Sequence, residues 1–178
     1  MKSLKIVGIC GSIREQSSSH AVLDEFARSL PAELAFQQYN ELASIPAFDG
    51  REEDPHPVKK FKSIIKNADG IFICTPEYAF GVPGALKNAL DWTVGTGEFV
   101  DKPVALITAS SHGEKGHESL QNTLSAISAK LYPESTLLIS FIRAKVKDGR
   151  IADLATQQAI QTVAASFAKV IEATGPSG

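Results

Sequence analysis

Cysteine is scarce in this chain, because Cys10 and Cys74 are the only two among 178 residues and they form no Cys-x-x-Cys pair. The sequence therefore lacks the spacing of a thiol redox motif or a zinc site. Each cysteine lies at the end of an apolar run, and free cysteine is among the most buried residue types. We predict that both are core residues.

The chain also lacks an excess of basic charge, since 18 Lys and Arg residues face 20 Asp and Glu residues, for a net charge of −2. Nucleic acid and anionic membranes attract basic proteins, so neither is expected as a partner. No apolar stretch approaches the ~18 residues of a membrane-spanning helix. The apolar run near the start is shorter than the ~7 to 15 residues of a signal-peptide core. We expect a cytoplasmic protein.

Several common functional motifs are absent too. The sequence contains no Gly-x-Gly-x-x-Gly fingerprint, no Gly-Lys-Ser or Gly-Lys-Thr of a P-loop, and no Gly-x-Ser-x-Gly elbow. His20, His112 and His117 have no carboxylate-histidine spacing that would favour a metal, so no metal is expected.

The pattern that is present is an alternation of apolar, strand-length runs with segments of helical spacing. This alternation predicts an α/β fold with a five-stranded parallel sheet covered by helices on both faces. Strands are predicted at 4–10, 33–39, 70–75, 103–109 and 136–141. Helices are predicted at 17–30, 58–67, 85–92, 119–131 and 152–173. We expect one domain over 1–174, including a long surface loop at 40–57, and a flexible tail at 175–178.

In such sheets, ligands bind at the carboxyl ends of the strands, so the loops after the first, third and fourth strands are the candidate site. The first loop, "GSIREQSSSH", offers serine hydroxyls and Arg14 just before a helix. Helix N-termini attract anions, which favours a phosphate ligand. The alternative is a serine-rich helix cap without a ligand.

The second loop opens the stretch "TPEYAFGVPGALKNALDW", in which Pro76 and Pro83 stiffen both ends. Tyr78 and Phe80 on this rigid backbone suit a flat aromatic ligand, whereas Glu77 could equally be a solvated carboxylate. The apolar stripe behind Pro83 is typical of a core or subunit contact. The third loop, "SSHGEKGHE", contains glycines that permit close backbone approach to a ligand.

Together, "GSIREQS", "TPEYAFGVPGALKNALDW" and "SSHGEKG", in this order, resemble the NAD(P)H-dependent FMN reductase family of flavodoxin-like proteins. That family includes quinone, azo and chromate reductases, and the resemblance covers essentially the whole chain. It implies a three-layer sandwich with strand order 2-1-3-4-5. It also implies a homodimer or homotetramer in which a neighbouring chain helps to wall the flavin pocket.

The resemblance further implies FMN as cofactor and NADPH or NADH as co-substrate, with hydride passing through flavin N5 and no catalytic side chain. The electron acceptor would be a small molecule such as a quinone, an azo compound, free flavin or a metal oxyanion. The implied FMN-binding residues are Ser12, Arg14, Ser17, Ser18, Ser19, Pro76, Glu77, Tyr78, Ala79, Phe80, Ser110, Ser111, His112 and Gly113.

The chain departs from the family pattern at three places. Ser19 stands where the family usually has Asn, Ala79 replaces the Asn of Thr-Pro-Glu-Tyr-Asn, and Phe80-Gly81 replaces a common Tyr-Ser. Two other functions stay open at this point: a flavodoxin-like electron carrier without NAD(P)H activity, and a non-catalytic module that binds a phosphorylated ligand.

Overall fold

The five main strands, numbered along the chain, form one parallel sheet in the order 2-1-3-4-5, which confirms the predicted α/β fold and strand order. The computed structural model describes residues 3–15 and 17–174, so the tail predicted at 175–178 lies outside the described residues. The main strands are β1 (Lys5–Cys10), β2 (Ala35–Tyr39), β3 (Gly70–Thr75), β4 (Pro103–Ala109) and β5 (Lys130–Ile139). A short antiparallel pair consists of β6 (Val146–Lys147) and β7 (Arg150–Ile151).

Helices cover both faces of the sheet. They are α1 (Ser18–Arg28), α2 (His56–Lys66), α3 (Gly84–Asp91), α4 (Glu114–Ala126), α5 (Ile142–Lys145) and α6 (Leu154–Thr174), and Leu42–Ser44 form one 3-10 turn. None of the helices formed by the described residues is long and apolar enough to cross a membrane.

Two predicted elements had wrong bounds, namely the helix α4 and the strand β5 that follows it. The helix predicted at 119–131 begins at Glu114 and ends at Ala126, and Leu131 lies in β5 opposite Val104. Apolar spacing continues past the true helix end, but Ser128 adopts a positive φ of 62° that stops the helix. The strand predicted at 136–141 spans Lys130–Ile139, because a register shift accommodates extra residues around Pro133.

The core lies in two layers, one on each face of the sheet. On the face covered by α1 and α6, Phe26 stacks on Phe72 with ring centroids 3.7 Å apart and packs against Phe167. On the other face, Phe61 and Trp92 belong to a second fully apolar cluster under α2, α3 and α4. Strands β3 and β4 are buried along their whole length, so the loops at their carboxyl ends rest on a rigid base.

Candidate functional site

A cleft of about 430 Å³ lies at the carboxyl edge of the sheet. Its size is within the ~300 to 1,000 Å³ range of small-molecule sites. Four chain segments surround it: the loops after β1, β3 and β4, and the segment after β5. The described lining residues are Arg14, Ser17, Ser18, Ser19, Pro76, Glu77, Tyr78, Ala109, Ser110, Ser111, Ile142 and Arg143.

One end of the cleft is built for an anion. Helix α1 begins there, with Ser17 as its N-cap, and its first turn contains no acidic residue. The hydroxyl of Ser19 is buried, with the residue only 1% exposed, and its neighbour is the weakly hydrogen-bonding thiol of Cys74. It makes no hydrogen bond of normal geometry with any described residue. Arg14 adds a guanidinium to the free donors of the helix start. This end therefore offers several donors and positive charge to a ligand.

The carboxylate of Glu77 caps the N-terminus of helix α4. Its Oε2 accepts a 2.6 Å hydrogen bond from the N–H of Gly116 in the first turn of α4. A Cβ at Gly116 would lie 3.0 Å from the Glu77 side chain, so only glycine fits there without a shift. Glu77 therefore ties the loop after β3 to the start of α4, which follows the loop after β4. The sequence analysis did not identify this role.

A tight turn follows at Tyr78–Gly81. The N–H of Tyr78 donates to the Gly81 carbonyl at 3.0 Å, and the N–H of Gly81 donates back to the Tyr78 carbonyl at 2.9 Å. Both central residues have positive φ, 48° at Ala79 and 61° at Phe80, as in the type I′ turns that favour Asn-Gly. The turn presents Phe80 to solvent, where it is 78% exposed.

The start of α4 is held by a half-buried histidine. Gln121 Nε2 lies 3.2 Å from His117 Nε2, and His117 Nδ1 lies 2.8 Å from the hydroxyl of Thr108 on β4. If the Gln121 amide donates, Nδ1 carries the imidazole proton and donates to Thr108. Burial lowers the pKa of His117, which favours this neutral form.

The segment after β5 is the part of the cleft that the sequence analysis missed. Ile142 is buried and Arg143 is exposed, and both line the cleft. Each could have been suspected, because β5 is parallel to β4 and its carboxyl end lies at the same edge. The short run "SFIRAK" has neither the glycine nor the proline that drew attention to the other loops.

The structure brings together most of the predicted site residues. Those that line the cleft are Arg14, Ser17, Ser18, Ser19, Pro76, Glu77, Tyr78, Ser110 and Ser111. The others lie around it: Ser12 lines a second cavity of about 370 Å³, and Ala79 and Phe80 form the turn tip. Gly113 caps α4 with a φ of 101°, and the His112 ring lies edge-on to Phe141.

The two cysteines are core residues, as predicted. Cys10 and Cys74 lie opposite each other on β1 and β3, and both are free and buried. Burial raises the pKa of Cys10 to about 11 and that of Cys74 well above its usual value. Neither thiol is therefore an activated nucleophile.

Comparisons with known proteins show the family of the chain. A sequence model of the family described as NADPH-dependent FMN reductase matches residues 4–144. The chain is 34% identical to the NADPH azoreductase of Bacillus sp. (strain OY1-2), over 84% of this chain and 83% of that protein. It is also 34% identical to the quinone reductase of Escherichia coli (strain K12), over 71% of this chain and 70% of that protein.

Among solved structures, the fold matches FerB, a flavoenzyme NAD(P)H:(acceptor) oxidoreductase from Paracoccus denitrificans. The TM-score is 0.83 at 23% identity, and the match covers 96% of this chain and 98% of FerB. That identity supports the shared fold, while the family match and the azoreductase similarity show the relationship in sequence. The chain therefore belongs to the NADPH-dependent FMN reductase family of flavodoxin-like oxidoreductases.

Proposed function

We propose that this protein transfers hydride from NADPH or NADH to a small acceptor through FMN bound in the 430 Å³ cleft. The observation that carries the proposal is one continuous cleft that joins the anion-binding end at Arg14 to the loops after β3 and β4. Quinones, azo compounds, free flavin and metal oxyanions are the acceptor classes we propose. The names of the relatives, an azoreductase and a quinone reductase, support the first two classes.

The residues present fit FMN. A phosphate needs donors and positive charge, and the cleft offers Arg14, the start of α1 and the buried hydroxyl of Ser19, which makes no hydrogen bond of normal geometry with any described residue. A buried hydroxyl without a partner is costly unless a ligand satisfies it. Bound FMN supplies hydride acceptance and donation at its N5 atom. We assign Arg14 and Ser17–Ser19 to its phosphate.

The loop after β3 would border the flavin ring. Tyr78 is 42% exposed, and a 3.2 Å hydrogen bond joins its hydroxyl to that of Ser12, which fixes the ring of Tyr78. Pro76 has no N–H and restricts the backbone before it, so this wall of the cleft is preorganised. In this proposal the protein binds and orients the cofactor, and it needs no side chain as a general acid or base.

Flavin binding is tested by titrating FMN into the flavin-free protein and following visible absorbance. Arg14→Ala should weaken FMN binding by about 1.5 to 3 kcal/mol, the worth of a charged hydrogen bond. Arg28→Ala is the matched control, because Arg28 lies at the opposite end of α1 and pairs with Glu25. A wild-type protein that takes up no FMN would refute the proposal. Unchanged affinity in Arg14→Ala would mean that the phosphate binds elsewhere.

Anaerobic mixing separates a reductase from an electron carrier. If the proposal is right, NADPH or NADH bleaches the bound flavin, and adding a quinone or an azo dye restores its colour. A flavin that neither nucleotide reduces at a useful rate would point to a carrier. The nearly balanced charge of the chain, −2, argues against a strongly acidic carrier that docks on partner proteins.

We further propose that the protein is a cytoplasmic homodimer or homotetramer, with residues 1–174 as its functional unit. Three apolar side chains on the segments around the cleft, Phe80, Phe141 and Ile13, are 78%, 62% and 59% exposed, which supports a contact with a second copy. Sedimentation at several concentrations tests the assembly, and Phe80→Ser should weaken it. A wild-type monomer at all concentrations would contradict this part of the proposal while leaving FMN binding intact.

A further inference from the structure

The segment after β5 is held rigidly against the loop after β4. The N–H groups of Phe141 and Ile142 donate to the carbonyls of Ser111 and Ser110, at 3.1 and 3.2 Å. The hydroxyl of Ser140 donates to the His112 carbonyl at 2.9 Å. These bonds continue the pairing of β4 with β5 beyond the sheet. The backbone that carries the next residue, Arg143, is therefore fixed.

The same segment packs against helix α1. Ile142 is 3% exposed and belongs to the apolar cluster that contains Ala21 and Val22 of α1. Arg143 follows Ile142 directly and lines the cleft together with Ser17 and the other serines of the helix start. Arg143 thus belongs to the cleft that contains the anion-binding end.

The charges of the cleft residues favour contact of a phosphate ligand with two cations of the protein. Within the described part of the chain, neither Arg14 nor Arg143 forms an ion pair, and Glu77, the carboxylate of the cleft, is bonded to the Gly116 N–H. A phosphate monoester carries about −1.5 to −2 charges at pH 7. One guanidinium and a helix N-terminus worth about +0.5 match only the lower end of that range, whereas a second guanidinium is needed to match a phosphate charge of about −2.

We propose that Arg143 is a second cation for the phosphate of FMN, and that it acts together with Arg14. This inference rests on the proposed binding of FMN in the cleft. Arginine suits the role because its planar guanidinium can donate two parallel hydrogen bonds to phosphate oxygens. The phosphates of the nicotinamide nucleotide are the competing ligand, but Arg143 shares its cleft with the serines at the start of α1.

The test compares FMN with riboflavin, which has the same ring system and no phosphate. Dissociation constants are measured by flavin fluorescence quenching for wild-type protein, Arg143→Gln, Arg143→Lys and the control Lys147→Gln. Lys147 is an exposed cation of the same region that does not line the cleft. Arg143→Gln should raise the Kd for FMN about tenfold or more and leave the Kd for riboflavin within about twofold. The Kd of Arg143→Lys for FMN should lie between those of wild type and Arg143→Gln. The Kd of Lys147→Gln should equal that of wild type.

Two results would overturn the role of Arg143. Equal weakening of FMN and riboflavin by Arg143→Gln would mean that the residue shapes the cleft instead of binding phosphate. An unchanged FMN Kd, with a raised KM for NADPH, would assign Arg143 to the nucleotide donor. Both results differ from failure of the underlying proposal, in which wild-type protein would bind no FMN.

Discussion

The turn at Tyr78–Gly81 contains backbone strain that a single substitution should relieve. Ala79 and Phe80 both have positive φ, at 48° and 61°, although neither is a glycine. A non-glycine residue in this left-handed region costs roughly 1 kcal/mol or more, because its Cβ approaches the following carbonyl oxygen. Asparagine tolerates the region better, since its side chain can hydrogen-bond to the local backbone.

Ala79→Asn should therefore stabilise the protein. The residue is exposed, so the larger side chain displaces no packing, and the two hydrogen bonds of the turn are made by its neighbours. We expect the free energy of unfolding to rise by about 0.5 to 1 kcal/mol, which corresponds to a Tm increase of about 1 to 4 °C for a chain of this size.

Thermal unfolding of the flavin-free protein, followed by circular dichroism, measures this effect. The matched control is Ala165→Asn, which makes the same change at an exposed position inside α6. There the backbone is helical, so asparagine should lower stability by up to about 0.7 kcal/mol. We therefore expect Ala79→Asn to raise Tm and Ala165→Asn to lower it. If Ala79→Asn lowers Tm as the control does, the turn is not strained.

Two further predictions concern the contacts that support the cleft. Glu77→Ala should lower the free energy of unfolding by about 1 to 2 kcal/mol in urea titrations, because the Gly116 N–H loses its acceptor. Glu77→Gln keeps an acceptor oxygen, so its free energy of unfolding should fall by less. An equal decrease in the two variants would contradict a capping hydrogen bond. Tm should fall as pH drops below about 6.5, since burial lowers the pKa of folded His117 and the unfolded chain then binds the extra proton. His117→Gln should remove that part of the pH dependence, and an unchanged profile would show that other groups cause it.

Most of the fold could be predicted because its signals are local and repeated. Apolar runs of strand length alternate with helical spacing, and apart from β5 and α4 the predicted bounds agree within two residues. The predicted end of α4 was wrong for a specific reason. Helices often end at a glycine with positive φ, but here Ser128 takes that conformation, and serine does not signal it.

The site was predictable where a residue type signals its own role, and not where the role depends on a distant partner. Serines before a helix and prolines around a loop could be recognised from the sequence alone. The carboxylate of Glu77 could not be assigned, because its partner, the Gly116 N–H, comes from helix α4. The position of Arg143 at the cleft also depends on the pairing of β4 with β5 beyond the sheet.

The contacts between the site loops follow the order of the strands beneath them. The hydroxyls of Ser12 and Tyr78 connect the loops after β1 and β3, which are neighbouring strands. Glu77 and Gly116 connect the loop after β3 to the start of α4, which follows the loop after β4, and backbone hydrogen bonds connect the loop after β4 to the segment after β5. Each loop is thus fixed by its neighbour before any ligand arrives. Because ordering flexible loops on binding costs free energy, a ligand that fills this cleft should bind with little of that cost.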